Sequence, residues 1–132
     1  MDKVEILILR NLLFNEEYLR KVIPFIKADY FEDPHQKVLF EEILNFVNEY
    51  NQPTTKEVLY IEVEKRQDIT DTSFQEITKL ISYLEDVPSD YEWLLNTTET
   101  WCKDRAIYLA LIESIALADG KDETKDRGAI PS

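Results

Sequence analysis

Glycine is almost missing from this chain: two in 132 residues, alongside five prolines, one cysteine and one histidine. So few turn-formers exclude a sheet protein built from tight hairpins. They also exclude a phosphate-cradling loop, because Gly120 and Gly128 stand alone and neither G-x-x-x-x-G-K-[ST] nor G-x-G-x-x-G occurs. Cys102 has no partner for an internal disulfide or a thiolate metal cluster, which fits a reducing, cytoplasmic setting. His35 alone cannot build the familiar two-histidine zinc sites. No run is long and apolar enough to span a bilayer, and the charged start Met1-Asp2-Lys3 does not read as a signal peptide. Basic side chains are scarce too: 15 against 27 acidic, a formal charge of −12. That field repels phosphates, so tight nucleic-acid binding is not expected, and it favours a basic partner. Single clusters such as Glu16-Glu17 or Glu41-Glu42 read as ordinary solvated helix faces.

What remains is 44% apolar, enough to fill one core. The pattern predicts an all-α fold: a globular head of about five short helices over residues 1–87, then one long protruding helix over 89–118. Together they make a helical domain of 1–118, with 119–132 as a polar connector. Residues 4–13 are densely apolar (Ile6, Leu7, Ile8, Leu9, Leu12, Leu13) and read as a buried central helix, a buried strand being the alternative for so short a run. Asn15 is placed to cap a second helix through Phe25, where Tyr18, Val22 and Phe25 recur at helical spacing. Asp33 and Pro34 open a third as cap and first residue. Leu39, Ile43, Phe46, Val47 and Tyr50 line one of its faces until Asn51-Gln52-Pro53 stops it. Thr54-Thr55-Lys56-Glu57 has the form of a capping box with Thr54 as cap. The following Leu59, Ile61 and Val63 alternate as a strand would, and the cap favours helix. A fifth helix opens at Asp71 or Thr72, with Phe74, Ile77, Ile81 and Leu84 on one side.

Ser89-Asp90-Tyr91-Glu92 is a further capping box, and nothing breaks the pattern after it until Gly120. A helix over 89–118 would be roughly 45 Å long, longer than the head is wide, so one end should protrude. Tyr91, Leu94, Thr98, Trp101, Arg105, Tyr108, Ile112 and Ile115 fall at alternating steps of three and four. They form a heptad-like seam with two polar interruptions, Thr98 and Arg105. Over 106–118 the apolar residues wrap most of the circumference. Ile107, Leu109, Leu111, Ile112, Ile115 and Leu117 therefore need cover on several sides. Ala129-Ile130-Pro131-Ser132 reads as the start of another element, which would make the chain the front end of something longer.

No catalytic, cofactor-binding or metal-binding residue is expected. His35 and Cys102 read as structural, the carboxylates form no D-x-D cluster, and Asn96-Thr97-Thr98 is a chance sequon inside a helix. Trp93 and Trp101 lack the basic surroundings of a base-stacking site, so core or interface is the better reading.

Certain fragments, weak singly but ordered and spaced together, carry a resemblance. They are Val4-Glu5-Ile6-Leu7, Asp29-Tyr30-Phe31, His35-Gln36, Leu39-Phe40, and Val47-Asn48-Glu49-Tyr50 with Pro53-Thr54. They continue with Leu80-Ile81, Leu84, Trp93-Leu94, Asp104-Arg105-Ala106 and Gly128-Ala129-Ile130-Pro131. In these the chain resembles the N-terminal domain of DnaB-type replicative DNA helicases, most closely the version in large tailed phages. The resemblance implies a helical head and a helical hairpin whose pairing builds a collar on a hexameric ring around single-stranded DNA, with primase docking on the collar. It implies that 89–118 is the first hairpin arm, with Trp101, Tyr108, Leu109, Ile112 and Ile115 facing partner subunits. The isolated domain should then self-associate as a dimer or larger homo-oligomer. The second arm and the ATPase domain, which would supply ATP and Mg²⁺ chemistry in the parent protein, are missing from this sequence. A phage-encoded parent would work in the cytoplasm of an infected host cell. The alternative is a free-standing acidic phage adaptor or regulatory protein that binds a basic host factor.

Overall fold

The computed structural model describes residues 3–128, with side-chain surroundings given through 119. Every regular element among them is helical. In order they are α1 (Lys3–Phe14), α2 (Glu16–Val22), two single-turn 3-10 helices (Ile23–Phe25 and Ala28–Tyr30), α3 (Pro34–Tyr50), α4 (Lys56–Glu64), α5 (Asp71–Tyr83) and α6 (Tyr91–Gly128). The choice between helix and strand for the first segment falls to helix. Ile6, Leu7, Ile8 and Leu9 are consecutive and all buried, so α1 is covered on nearly every side. It lies at the centre of the head, against α2, α3 and the foot of α6.

Caps fix where each helix starts. Asn15 accepts from the Tyr18 amide at 3.1 Å, and Asp33 accepts from the amides of His35 (2.7 Å) and Gln36 (3.3 Å) with Pro34 as the first helical residue, as the sequence predicts. Two other starts, those of α4 and α6, are displaced by one residue, and α5 opens at Asp71, one of the two residues expected. Thr55, not Thr54, caps α4 by accepting from Val58; Thr70 caps α5 by accepting from Ser73; and Asp90, not Ser89, accepts from Trp93 at the head of α6. In each case two cap-competent residues are neighbours. Thr54 is instead drawn into the head, 3% exposed. Helix α2 is shorter than predicted because the chain tightens into a 3-10 turn around Pro24, which has no amide to continue the ladder. Asn51 ends α3 in the left-handed conformation (φ 53°, ψ 37°), its amide donating to the Val47 carbonyl.

The core joins Ile8, Leu9 and Leu12 of α1, Tyr18 and Leu19 of α2, Leu39, Phe40 and Ile43 of α3, Leu59 and Val63 of α4, and Ile77 and Ile81 of α5. Leu94 and Trp101 of α6 complete it. The far end of the α3 face does not stay inside: Tyr50 is 57% exposed and stacks on Phe46 at 4.7 Å. Behind α3, Arg66 ties the end of α4 to Glu41, Glu42 and Asp68. Helix α6, at 38 residues, is about 57 Å long and unbroken. Its backbone runs through Gly120, where the sequence pattern predicts a stop; a single glycine costs a helix only about 1 kcal/mol relative to alanine. The predicted connector at 119–132 lies almost wholly outside the residues whose side chains are described.

Candidate functional site

Helix α6 divides at Leu109. Up to Arg105 its seam packs on the head. Leu94 (0%), Thr98 (2%) and Trp101 (8%) are buried in succession. Thr98 Oγ1 donates to the Leu94 carbonyl at 2.8 Å, which uses its one proton, so the Tyr18 hydroxyl donates to Thr98 across 2.7 Å. Burial pushes the Tyr18 phenol well above its ordinary pKa, so it stays neutral. Trp101 packs edge-on to Tyr30 (centroids 5.9 Å apart, 82°) and tilted against Phe31 (4.9 Å), which in turn meets Phe40 at 5.2 Å. One turn on, Arg105 Nε donates to the Tyr30 carbonyl and Nη1 to Glu32 Oε1 at 3.1 Å, while the guanidinium lies 4.9 Å from the Tyr108 ring centroid. The two polar interruptions of the seam are therefore the bonds that hold the helix to the head.

Above Leu109 there is nothing to pack on. Leu109 itself is half-buried at the edge of the core, and every residue from 110 to 119 is exposed. Ile107, Tyr108, Leu111, Ile112, Ile115 and Leu117 are between 47% and 62% exposed. Ile107, Leu111 and Ile115 recur every four residues along one stripe, Tyr108, Ile112 and Ile115 along the next, and Leu117 faces another way, so the apolar surface wraps the arm.

Of the five residues predicted to face partners, Tyr108, Ile112 and Ile115 stand together on this free surface, and Leu109 marks its base. Trp101 does not belong with them. Its ring is in the head core, because the head uses the first turns of the same seam. Ile107, Leu111 and Leu117 take its place on the arm, and the apolar density of 106–118 was the signal for them. Phe25 and Tyr83, each 68% exposed, had no such signal; both sit at the end of a short helix, where the pattern loses its phase.

Chemistry is sparse elsewhere. Among the described residues, no group of three or more His, Cys, Asp or Glu is placed to hold a metal, and no helix is long and apolar enough to cross a membrane. Burial pushes the Cys102 thiol up to about 11, so it is protonated and a poor nucleophile at neutral pH. His35 lies against its neighbouring cap, with Nδ1 3.6 Å from Asp33 Oδ1.

Two comparisons bear on this arrangement. The family profile for the DnaB-like helicase N terminal domain matches residues 2–94, which takes in the head and stops at the first buried residue of α6. The DnaB-like replicative helicase of Enterobacteria phage T4 is 32% identical over 133 residues, covering 95% of this chain. The chain spans 28% of that relative's length.

Proposed function

Because this chain belongs to the family of DnaB-like helicase N-terminal domains, we propose that it is the assembly and partner-docking domain of a hexameric replicative helicase. The observation that carries the reading is the bare arm: six large apolar side chains on an unbroken helix that the head leaves uncovered. Covering an isoleucine or leucine contributes about 1.5–3 kcal/mol. Six of them contribute on the order of 10 kcal/mol, comparable with the roughly 4–15 kcal/mol cost of association. A second subunit's arm offers the same seam and is the natural cover. In this reading the arms pair to form a collar, the collar presents a docking face to primase, and unwinding belongs to an ATP-dependent motor in the rest of the parent protein. The place of action is the cytoplasm of the host cell. The −12 charge argues against the head gripping DNA itself.

Light scattering tests the assembly reading. Mass should rise above 15.6 kDa with concentration. Replacing Ile112 and Ile115 by aspartate together should return the protein to a monomer with its helical circular dichroism intact. A wild-type protein that stays monomeric at the highest soluble concentration overturns the proposal. Primase docking is tested by titrating the domain with the primase of the same replication system in a calorimeter; no heat and no complex by size exclusion would remove that part.

A further inference from the structure

Phe25, 68% exposed, stands at the mouth of a groove of about 620 Å³ between the foot of α6 and the end of α2. Val22, Leu95, Cys102 and Ala106 make its wall mostly apolar. Two lysines border it. Lys103 is matched by Glu99 at 2.9 Å, whereas Lys21 has no ion pair among the described residues. Cys102 and Ala106 belong to α6, and the bare arm begins on the next turn at Leu109. Groove and arm are therefore one continuous uncovered surface, and a helix laid along the arm runs down into the groove.

The sequence of α6 indicates which helix that is. Cys102, Arg105, Leu109, Ile112, Ala116 and Asp119 fall at alternating steps of three and four, a stripe beside the one that meets the head. Reversed end to end, the stripe keeps its spacing. Leu109 then falls opposite Ile112, Arg105 opposite the small Ala116, and Cys102 opposite Asp119, so an identical antiparallel helix matches it layer by layer. Between Arg105 and Gly120 the only charged side chains are Glu113 and Asp119. Antiparallel pairing carries Asp119 to the groove where Lys21 stands. Parallel pairing sets Glu113 near Glu113 and Asp119 near Asp119, like charges in both cases, and leaves both grooves empty. We propose that the groove receives the arm tip of a second copy of this chain, antiparallel, with Asp119 of one protomer beside Lys21 of the other and the last apolar turn of the arm over Phe25. This rests on the assembly reading and adds to it the head surface that the partner covers and the direction in which the arms run.

Thiol linkage of the intact domain reads the register. In Asp119→Cys, with the native Cys102 in place, a short bis-maleimide should give a covalent dimer whose tryptic peptides join Cys102 of one chain to position 119 of the other. Adding Cys102→Ser should abolish the link. A link that survives in the double variant joins the two 119 positions, means parallel arms and overturns the proposal. So does the absence of any link when light scattering shows the wild type to be dimeric. A monomeric wild type removes the assembly reading and this one together. Phe25→Asp, at an exposed side chain, should weaken dimerisation about tenfold or more, and Tyr83→Asp, equally exposed on α5, should leave it unchanged. Full dimerisation of Phe25→Asp would assign the groove to some other occupant and overturn the proposal. Lys21→Glu should weaken the dimer roughly twofold to fivefold, and Asp119→Lys in the same chain should restore it. No recovery in that charge swap overturns the register.

Discussion

The lower and upper halves of α6 carry similar apolar stripes, yet one is core and the other is surface. Below Leu109 the seam meets Tyr18, Tyr30 and Phe31, three aromatic side chains from two parts of the head. Above it, Ile112 and Ile115 continue the same three-and-four spacing and meet solvent. Helical periodicity states which residues share a face and is silent on what covers that face. The polar members of the seam discriminate better: Thr98 and Arg105 each have a built partner on the head, and the free half has no polar member in line until its end.

The sharpest way to break the contrast is to remove the largest buried group of the lower half. Trp101→Ala should cost about 3–5 kcal/mol and lower the melting temperature of the whole head by circular dichroism, since Tyr30 and Phe31 lose their contact with the ring. Next, Arg105→Met, which keeps bulk but frees the Tyr30 carbonyl, should cost roughly 1–2 kcal/mol in urea unfolding. Tyr18→Phe should cost about 1 kcal/mol, because Thr98 keeps its bond to Leu94 and loses only the incoming donor. At the small end, Ile112→Asp should change the head's unfolding free energy by less than about 0.5 kcal/mol in a monomeric background. A large loss there would mean that the upper half is packed after all.

Titration separates the halves too, since Cys102 and Tyr18 both belong to the contacts of the lower one. Cys102 ordinarily titrates near 9 and is pushed to about 11 in the folded chain, so the unfolded state loses its proton first. Its contribution is fully present below pH 9 and is lost as pH rises toward 11. Tyr18 adds a second decline that begins near its ordinary value of 10.0. Urea midpoints measured from pH 8 upward should therefore fall, and Cys102→Ala should flatten the first part of the fall. An unchanged slope in that variant would show that the thiol is not the source.

Much of this was legible in the sequence. The all-helical class, the order of the elements, the caps at Asn15 and Asp33 and the excess apolar surface after Ala106 all follow from local chemistry that one segment displays by itself. What was not legible depends on a second segment. Thr54 and Thr55 are equally good caps until the head claims one of them, and Trp101 looks like its neighbours on the seam until Phe31 is known to stand opposite.

The bond from Arg105 to the Tyr30 carbonyl and Glu32 sits near the last point where the rod touches its base. Nineteen residues lie beyond Leu109 in α6, about 28 Å of reach. A tilt of about 10° at that fulcrum would sweep the tip through roughly 5 Å, one full helical pitch, and put every projecting side chain out of step with a facing helix. The Arg105 guanidinium, at the outermost bond to the head, thus helps fix the direction in which Ile112 and Ile115 are presented.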